Sequence, residues 1–353
     1  MDYKKELEDL VTLVLKEGAS DLHLAEGRHP IVRVNGNLIP LIKKAQLTKL
    51  DMQGFSNELL TEANKKLFQA NLEVDFSYSL GTLARFRGNA FLHQETISIA
   101  LRLIPKKIRT ITELKLPQIL ETFTRKKQGF FLCVGPIGQG KSTTLAAMIE
   151  MINQTRAEHI ITIEDPIEYV YESKKSIIDQ REVRIDTPDF HNGLVGMLRQ
   201  DVNVALIGEM RDIQTVGTAV TAAETGHLIF STLHTNNASQ TINRIIDSFP
   251  PGQQDQIRMQ LAGSLSGIFS QRLIPSISGG LVPAYELLIA NAAVANLIRE
   301  KRVHEINTVV ETGSSEGMID MNRCLVELVR GGQISVENAY QYSLNPKGLE
   351  RML

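Results

Sequence analysis

A glycine-rich turn followed by a lysine constrains this chain more than any other feature. Residues 129–134 read GFFLCV, an apolar stretch of strand length, and residues 135–142 read GPIGQGKS. This order fits the pattern G-x-x-x-x-G-K-[ST], and we expect a helix to begin near Lys141. The backbone N–H groups of such a turn surround phosphate groups, and the helix N-terminus adds a favourable field. The segment therefore predicts a nucleoside triphosphate site.

The residue types in this turn suggest which contacts each position makes. The predicted nucleotide-binding set is Gly135, Pro136, Ile137, Gly138, Gln139, Gly140, Lys141, Ser142 and Thr143. Lys141 is expected to neutralise the β- and γ-phosphates, and the Ser142 hydroxyl to hold Mg²⁺. ATP and Mg²⁺ are therefore the expected cofactors.

Hydrolysis also requires carboxylates, and two predicted strands end in acidic residues. One strand is followed by Gly208 and Glu209, and the other leads into Glu164, Asp165 and Glu168. Ligands of open α/β sheets bind at the carboxyl ends of the strands, so these acids are candidates for metal binding and for activating water. Gly208 stands where many such proteins carry an aspartate, so Glu209 is expected to take the acidic role, including that of metal ligand. From the residue pattern alone, the choice of base on the other strand stays open.

A histidine follows the next apolar strand along the chain. His234 comes directly after the predicted strand at 228–233, and His227 precedes it. A histidine in the position of His234 can donate a hydrogen bond to a γ-phosphate, although a lone histidine is more often structural. His234 is the better candidate for the nucleotide, while His227 is expected to tie elements together.

Two arginines of the N-terminal region form a separate candidate site. The predicted hairpin register places Arg87 directly opposite Arg102. Like charges in that position are destabilising, so an anion is expected beside them. The anion is either a structural carboxylate, with Glu73 and Asp75 as candidates, or a γ-phosphate that both arginines contact as arginine fingers.

The pattern of apolar residues predicts two domains. Residues 1–104 predict antiparallel strands with a helix at the start and another over about 48–70, which is a small α+β domain. Residues 105–117 are charged and bounded by prolines, and we interpret them as a linker. Residues 118–353 alternate short strands and helices, which indicates an α/β domain with a mostly parallel sheet. This domain is expected to be mainly helical after about 250, with one more strand near 281–289.

Composition argues against several other functions. The 353-residue chain has a net charge of −2, no tryptophan and 5% aromatic residues, whereas a DNA motor needs a basic or aromatic-lined channel. A small-molecule kinase would need a lid and an acceptor site, and would not explain the arginines of the first domain. The two cysteines have no metal-site spacing, and no apolar stretch approaches the roughly 20 residues that span a bilayer. We expect a cytoplasmic protein with no nucleic-acid partner, which meets the membrane only through partners.

Motifs along nearly the whole chain resemble the hexameric secretion ATPases of type IV pili and type II secretion. They include ASDLHL at 19–24, RFRGNAF at 85–91, ITIEDPIEY at 161–169, LIGEMRD at 206–212 and AAETGHLIFSTLHT at 222–235. The resemblance implies a PAS-like first domain and a RecA-like P-loop ATPase domain with a helical C-terminal part. It also implies a homohexameric ring with ATP between neighbouring subunits.

The resemblance assigns catalytic roles to individual residues. The catalytic residues implied are Glu168, Glu209, His234, Arg87 and Arg102. Glu168 is implied as the catalytic glutamate, Glu209 as the acidic residue near the metal, and His234 as the family histidine. Arg87 and Arg102 are implied as arginine fingers.

Within this family the chain resembles the ATPases that retract pili. Extension ATPases usually carry an extra N-terminal region and a four-cysteine zinc site, which two cysteines cannot form. Residues 293–300, AVANLIRE, keep the NLIRE of a retraction signature, with Ala295 in place of its first arginine. The resemblance implies a motor for pilus retraction and twitching motility at the inner membrane, with a membrane platform protein and a paralogous pilus ATPase as partners. An accessory retraction ATPase, or a pilus extension or type II secretion ATPase, is the alternative.

Overall fold

The computed structural model describes nearly the whole chain. The described residues are 2–34, 36–81, 83–105, 107–210 and 212–353. Lys106 of the predicted linker and Arg211 of the LIGEMRD motif lie outside them. The chain divides into two compact units, one of Met1–Lys107 with Glu168–Val170 and one of Ile108–Ile167 with Tyr171–Leu353.

The first unit combines an antiparallel sheet with helices. Its elements are α1 (Tyr3–Lys16), β1 (Asp21–Ala25), β2 (Ile31–Val34), β3 (Asn37–Pro40), α2 (Lys49–Leu59), α3 (Glu62–Asn71), β4 (Glu73–Leu80), β5 (Ala84–His93) and β6 (Thr96–Ile104). The sheet order is β3-β2-β1-β6-β5-β4. Helix α1 buries Leu7, Leu10, Val11 and Val14, whose spacing places them on one face of a helix. This face joins a core that includes Phe86 of β5.

Two features of the first unit differ from the prediction. The single helix expected over 48–70 is two helices, because Leu60 adopts an extended conformation. Thr61 then begins α3 as its N-cap, with the hydroxyl accepting a hydrogen bond from the Asn64 N–H at 3.2 Å. Strand β1 was not predicted. It pairs with β2 on one side and with β6 on the other, so it joins the two halves of the sheet.

The second unit is α/β. Its elements are α4 (Leu120–Thr124), β7 (Gly129–Val134), α5 (Lys141–Thr155), β8 (His159–Glu164), β9 (Ile177–Glu182), α6 (Phe190–Met197), β10 (Val204–Ile207), α7 (Ile213–Glu224), β11 (Leu228–Leu233), α8 (Ala238–Asp247), α9 (Pro251–Ser264), β12 (Leu265–Pro275), β13 (Leu281–Ile289), α10 (Ala292–Arg299), α11 (Ile306–Thr312), α12 (Met321–Arg330), α13 (Val336–Tyr342) and α14 (Pro346–Glu350). The sheet order is β13-β12-β7-β11-β10-β8-β9, and among the described strands of this sheet only the β12–β13 pair is antiparallel. The predicted mostly parallel sheet is confirmed.

Strand β12 overturns the expectation of one further strand in a mainly helical C-terminal region. It runs for 11 residues, from Leu265 to Pro275, and pairs in parallel with β7 and antiparallel with β13. Both faces of β12 are buried along most of its length, so its sequence lacks the alternation that marks a half-exposed strand. Strand β9 was not predicted either.

The C-terminal helices pack on the β12–β13 hairpin. Ile274 of β12 and Val282 of β13 share a core cluster with Leu325 of α12 and Leu349 of α14.

Both cysteines are buried, and burial raises the pKa of each thiol to about 12, so they stay protonated at neutral pH. Nowhere in the described residues does a helix have the length and apolar character needed to cross a membrane.

Candidate functional site

The glycine-rich turn lies between β7 and α5, and its glycines are required by both conformation and packing. Gly135, Gly138 and Gly140 have φ values of 144°, 76° and 78°, which favour glycine. A β-carbon at Gly135 would lie 2.4 Å from the backbone oxygen of Gln271, and one at Gly140 would lie 2.9 Å from the Gln271 side-chain nitrogen. The turn therefore has the bare backbone that a phosphate-binding loop needs.

Lys141 begins α5 with its side chain folded over this turn. Its Nζ donates hydrogen bonds to the carbonyl oxygens of Gly135 at 2.9 Å and Pro136 at 2.8 Å. The residue is only 7% exposed. Ser142 and Thr143 follow on the first turn of the helix, and Ser142 is exposed. The ammonium group is thus held at the helix N-terminus, next to the loop that would surround the phosphates.

Gln271 of β12 supports the turn from the neighbouring strand, a role that sequence analysis missed. Its Nε2 donates to the Gln139 carbonyl at 2.8 Å, and its Oε1 accepts from the Thr144 hydroxyl at 2.6 Å. In return, Oε1 of Gln139 accepts from the Leu273 N–H at 2.7 Å. These reciprocal bonds fix the end of the turn to β12. In the sequence, the only sign of this role is that Gln271 is a polar residue within a stretch that was not predicted to be a strand.

His234 and Glu209 meet at the carboxyl edge of the sheet, where β11 and β10 run in parallel. The His234 Nε2 lies 3.8 Å from Oε2 of Glu209, and the His234 Nδ1 lies 3.4 Å from the Lys141 Nζ. An ammonium group can only donate, so Nδ1 accepts and the proton of the neutral ring lies on Nε2, facing Glu209. The structure therefore brings together Lys141, His234 and Glu209. Their catalytic roles stay predictions.

The two candidate bases after β8 have different surroundings. Glu164 ends β8 and is 7% exposed. Its Oε1 accepts from the Thr162 hydroxyl at 2.6 Å and from Gln180 Nε2 at 3.2 Å. Glu168 belongs to Glu168–Val170, which is part of the first unit. The assignment of Glu168 as the catalytic base stays a prediction, while Glu164 has an evident role in joining β8 to β9.

The register of the arginine-bearing hairpin in the first unit is confirmed. Arg87 of β5 pairs with Arg102 of β6. Both side chains are exposed, with 71% of the Arg102 side chain accessible. The Arg87 side chain forms no hydrogen bond or ion pair with any residue that the structure describes. The hairpin therefore presents two guanidinium groups to solvent.

The structural carboxylate bonded to Arg102 is Asp21, and not Glu73 or Asp75, the two candidates for that role. Asp21 of β1 pairs with Arg102, whose Nε donates to Oδ1 at 2.8 Å. Burial alone would raise the pKa of Asp21, but hydrogen bonds from Ser20 and Arg102 hold the pKa below its usual value. Asp75 is instead bonded to Asn89 of β5. Asp21 was missed because β1, the strand that carries it, was not predicted.

Comparison with known proteins shows the family of this chain. A family model described as Type II/IV secretion system protein matches residues 3–314. The chain belongs to this family. It is 42% identical to the type IV pilus retractation ATPase PilT of Pseudomonas aeruginosa, covering 97% of this chain and 99% of that protein. It is 38% identical to the type IV pilus ATPase PilU of the same species, covering 99% of this chain and 91% of that one.

A solved structure of the family is also similar. The crystal structure of the pilus retraction motor PilT with bound ADP superimposes with a TM-score of 0.91 at 45% identity, covering 97% of this chain and 98% of that one. In the present family member, the NLIRE segment lies mostly on α10, where Val294 and Ile298 are fully buried in the core of the second unit. Asn296 and Arg299 of the same helix are exposed. Part of this segment is therefore structural.

Proposed function

We propose that this protein is a homohexameric, ATP-hydrolysing motor that powers type IV pilus retraction and twitching motility. The observation that carries the proposal is the meeting of Lys141, His234 and Glu209 at the end of a glycine turn. Similarity to PilT over nearly the full length supports the retraction role. In this proposal residues 1–104 form a PAS-like domain, residues 105–117 a linker and residues 118–353 a RecA-like domain with a helical C-terminal part.

The residues of the turn fit ATP. Gly135, Gly138 and Gly140 place no side chains in the turn, and α5 is long enough to present a favourable N-terminal field. Lys141 now bonds two neutral carbonyls, and bonds to phosphate oxygens would be stronger because both partners are charged. The lysine can therefore turn to the β- and γ-phosphates without loss of hydrogen bonding.

Ser142 and Glu209 are the residues we assign to Mg²⁺. A hydroxyl at the start of α5 and a carboxylate after β10 are oxygen ligands of the kind that Mg²⁺ prefers. The ion would neutralise charge on the phosphate oxygens. His234 would hold its Nε2 proton towards Glu209 or towards the γ-phosphate, and Glu168 would accept the proton of the attacking water.

The remaining charge on the γ-phosphate is assigned to Arg87 and Arg102 of a neighbouring subunit. Both guanidinium groups are exposed, and Arg87 has no competing partner among the described residues. Arginine fingers are worth roughly 10³–10⁵ in rate in related phosphoryl-transfer enzymes. The ring would work at the cytoplasmic face of the inner membrane, bound to a membrane platform protein and to a paralogous pilus ATPase, without nucleic acid.

Deletion of the gene separates this function from its alternatives. Loss of a retraction motor should leave excess surface pili and abolish surface motility, and both should be restored by the wild-type gene but not by Lys141→Ala. Few or no pili would point instead to an extension ATPase. Similarity to PilU keeps an accessory retraction ATPase as the second candidate. For an accessory role, deletion should reduce motility while pilus number stays near normal.

A further inference from the structure

The loop that follows β11 carries the candidate catalytic histidine and is held at several points. We call residues 234–238 the histidine loop. Within the loop and α8, the Thr235 and Thr241 hydroxyls lie 2.6 Å apart, and Gln240 Oε1 accepts from the Asn236 N–H at 2.7 Å. These local bonds shape the loop. They do not by themselves fix it against the rest of the sheet.

Arg272 of β12 reaches this loop from the far side of β7. Its Nη2 donates to Oδ1 of Asn236 at 2.8 Å, although the residue is only 7% exposed. Its Nη1 is buried without a hydrogen-bond partner in the described part of the chain, and no described carboxylate lies within 4.0 Å of the guanidinium. A buried cation with such incomplete pairing is costly, and an apolar residue would pack there at lower cost. The presence of an arginine at this position is therefore not explained by stability.

Glu286 of β13 holds the C-terminal end of the loop. Its Oε1 accepts from the Ala238 N–H at 2.8 Å, and the residue is 8% exposed. The strand register pairs Ser270 with Glu286 and Arg272 with Ala284, so Arg272 and Glu286 lie on one face of the hairpin at diagonal positions. The β12–β13 hairpin thus contacts the histidine loop at its middle residue and at its C-terminal end, through the side chains of Arg272 and Glu286.

The residue before Arg272 has the corresponding role on the opposite face of β12. Consecutive residues of a strand point to opposite sides, so Gln271 contacts the glycine turn while Arg272 contacts the histidine loop. One strand therefore fixes the two loops whose side chains, Lys141 and His234, meet at 3.4 Å.

We propose that Arg272 is a positioning residue for ATP hydrolysis, which orients the histidine loop through Asn236 so that His234 faces Glu209. This inference rests on the proposed ATPase function and on the role of His234. The guanidinium acts only through the loop, because its contact is with Asn236 and not with the residues of the glycine turn. Its effect should therefore appear in turnover and not in nucleotide binding.

A double-mutant cycle on the full-length protein tests the proposal. Arg272→Gln should lower kcat roughly tenfold to a hundredfold, the value of one charge-assisted hydrogen bond, while KM for ATP changes less than about threefold. In a His234→Ala background, itself slow, the same change should cost less than about twofold, since Arg272 acts through the histidine. Asn236→Ala removes the same bond at an exposed residue and should reproduce the effect if Arg272→Gln does not fold.

Arg258→Gln is the matched control, because Arg258 is another arginine of this unit with a buried side-chain nitrogen and it bonds the Ile298 carbonyl on α10. Its kcat should stay near the wild-type value. Equal losses from Arg272→Gln with and without His234 would overturn the positioning role, as would full turnover in both Arg272→Gln and Asn236→Ala. Full turnover in His234→Ala would instead overturn the role of the histidine in the proposed function, and this inference with it.

Discussion

Replacing Asp21 with asparagine should weaken ATP hydrolysis without unfolding the first unit. Asp21 accepts a hydrogen bond from Arg102 Nε at 2.8 Å, and Arg33 Nε lies 3.6 Å from its other oxygen. Because Asp21 uses Nε, the two Nη groups of Arg102 stay available to an incoming phosphate. The substituted side chain would keep the shape and one oxygen but remove the charge that fixes the guanidinium.

The magnitude follows from the exposure of the partners. The Arg102 side chain is 71% exposed, so solvent screens the ion pair and its loss should cost about 1 kcal/mol of stability or less. A charge-assisted hydrogen bond exceeds a neutral one by about 1 kcal/mol, so a loosely held Arg102 should lower kcat by roughly fivefold. Arg102→Ala removes the finger itself and should lower kcat at least roughly a hundredfold.

Steady-state ATPase assays with thermal melting curves separate the two effects. Asp75→Asn is the control, since Asp75 lies on the same sheet but bonds Asn89 and should leave kcat unchanged. The combination of Asp21→Asn with Arg102→Ala should be no slower than Arg102→Ala alone, because the carboxylate acts only through the arginine. Near-normal kcat in Arg102→Ala would refute the finger assignment, and additive losses would refute the role given to Asp21.

Four other changes test separate parts of the structure. Lys141→Ala should abolish binding of a fluorescent ATP analogue, and unchanged affinity would exclude the phosphate site. Glu168→Gln should slow turnover about 10²–10⁴-fold with binding retained, and a larger loss from Glu164→Gln would move the base to that residue. Ile298→Ala should lower unfolding free energy by about 2–5 kcal/mol in denaturant titrations, since the side chain is fully buried, and a value near zero would remove it from the core. Burial raises the pKa of Glu286 to about 7 from 4.5, so this carboxyl binds its proton more tightly when folded and the protein loses stability as pH rises through that interval. The free energy of unfolding of Glu286→Gln, relative to that of the wild type, should therefore rise by about 3 kcal/mol from pH 4 to pH 8. A difference that does not change with pH would contradict the shifted pKa.

Local signals in the sequence were enough for the glycine turn and for the arginine pair. The turn lies within a few residues of the strand and helix that position it, and those elements begin where the residue pattern places them. The pairing of Arg87 with Arg102 follows from a short hairpin, in which the turn determines the register of all the residues behind it. Both features depend on residues that are close in sequence.

The carboxylate at the arginine pair could not be identified from the sequence, because it reaches Arg102 through a contact that sequence patterns do not encode. Asp21 and Arg102 are 81 positions apart, and they meet because β1 inserts beside β6. Strand β1 is five residues long, and three of these are buried without regular alternation. A strand of that length gives too weak a pattern to predict, and without it Glu73 and Asp75 of the neighbouring strand β4 were the candidates.

Strand β12 could not be predicted from the sequence, for a reason that bears on function. It follows α9 directly at Leu265, with no proline or loop to mark the change, and its sequence LSGIFSQRLIP mixes serine, glutamine and arginine into an apolar run. Polar residues in a strand buried on both faces weaken the signal of a core strand. Here Gln271 holds the glycine turn and Arg272 holds the histidine loop. The polar side chains that weaken the strand pattern of β12 are thus the ones that join it to the nucleotide site. A fully apolar β12 would have been easier to predict, but it could not have made either contact.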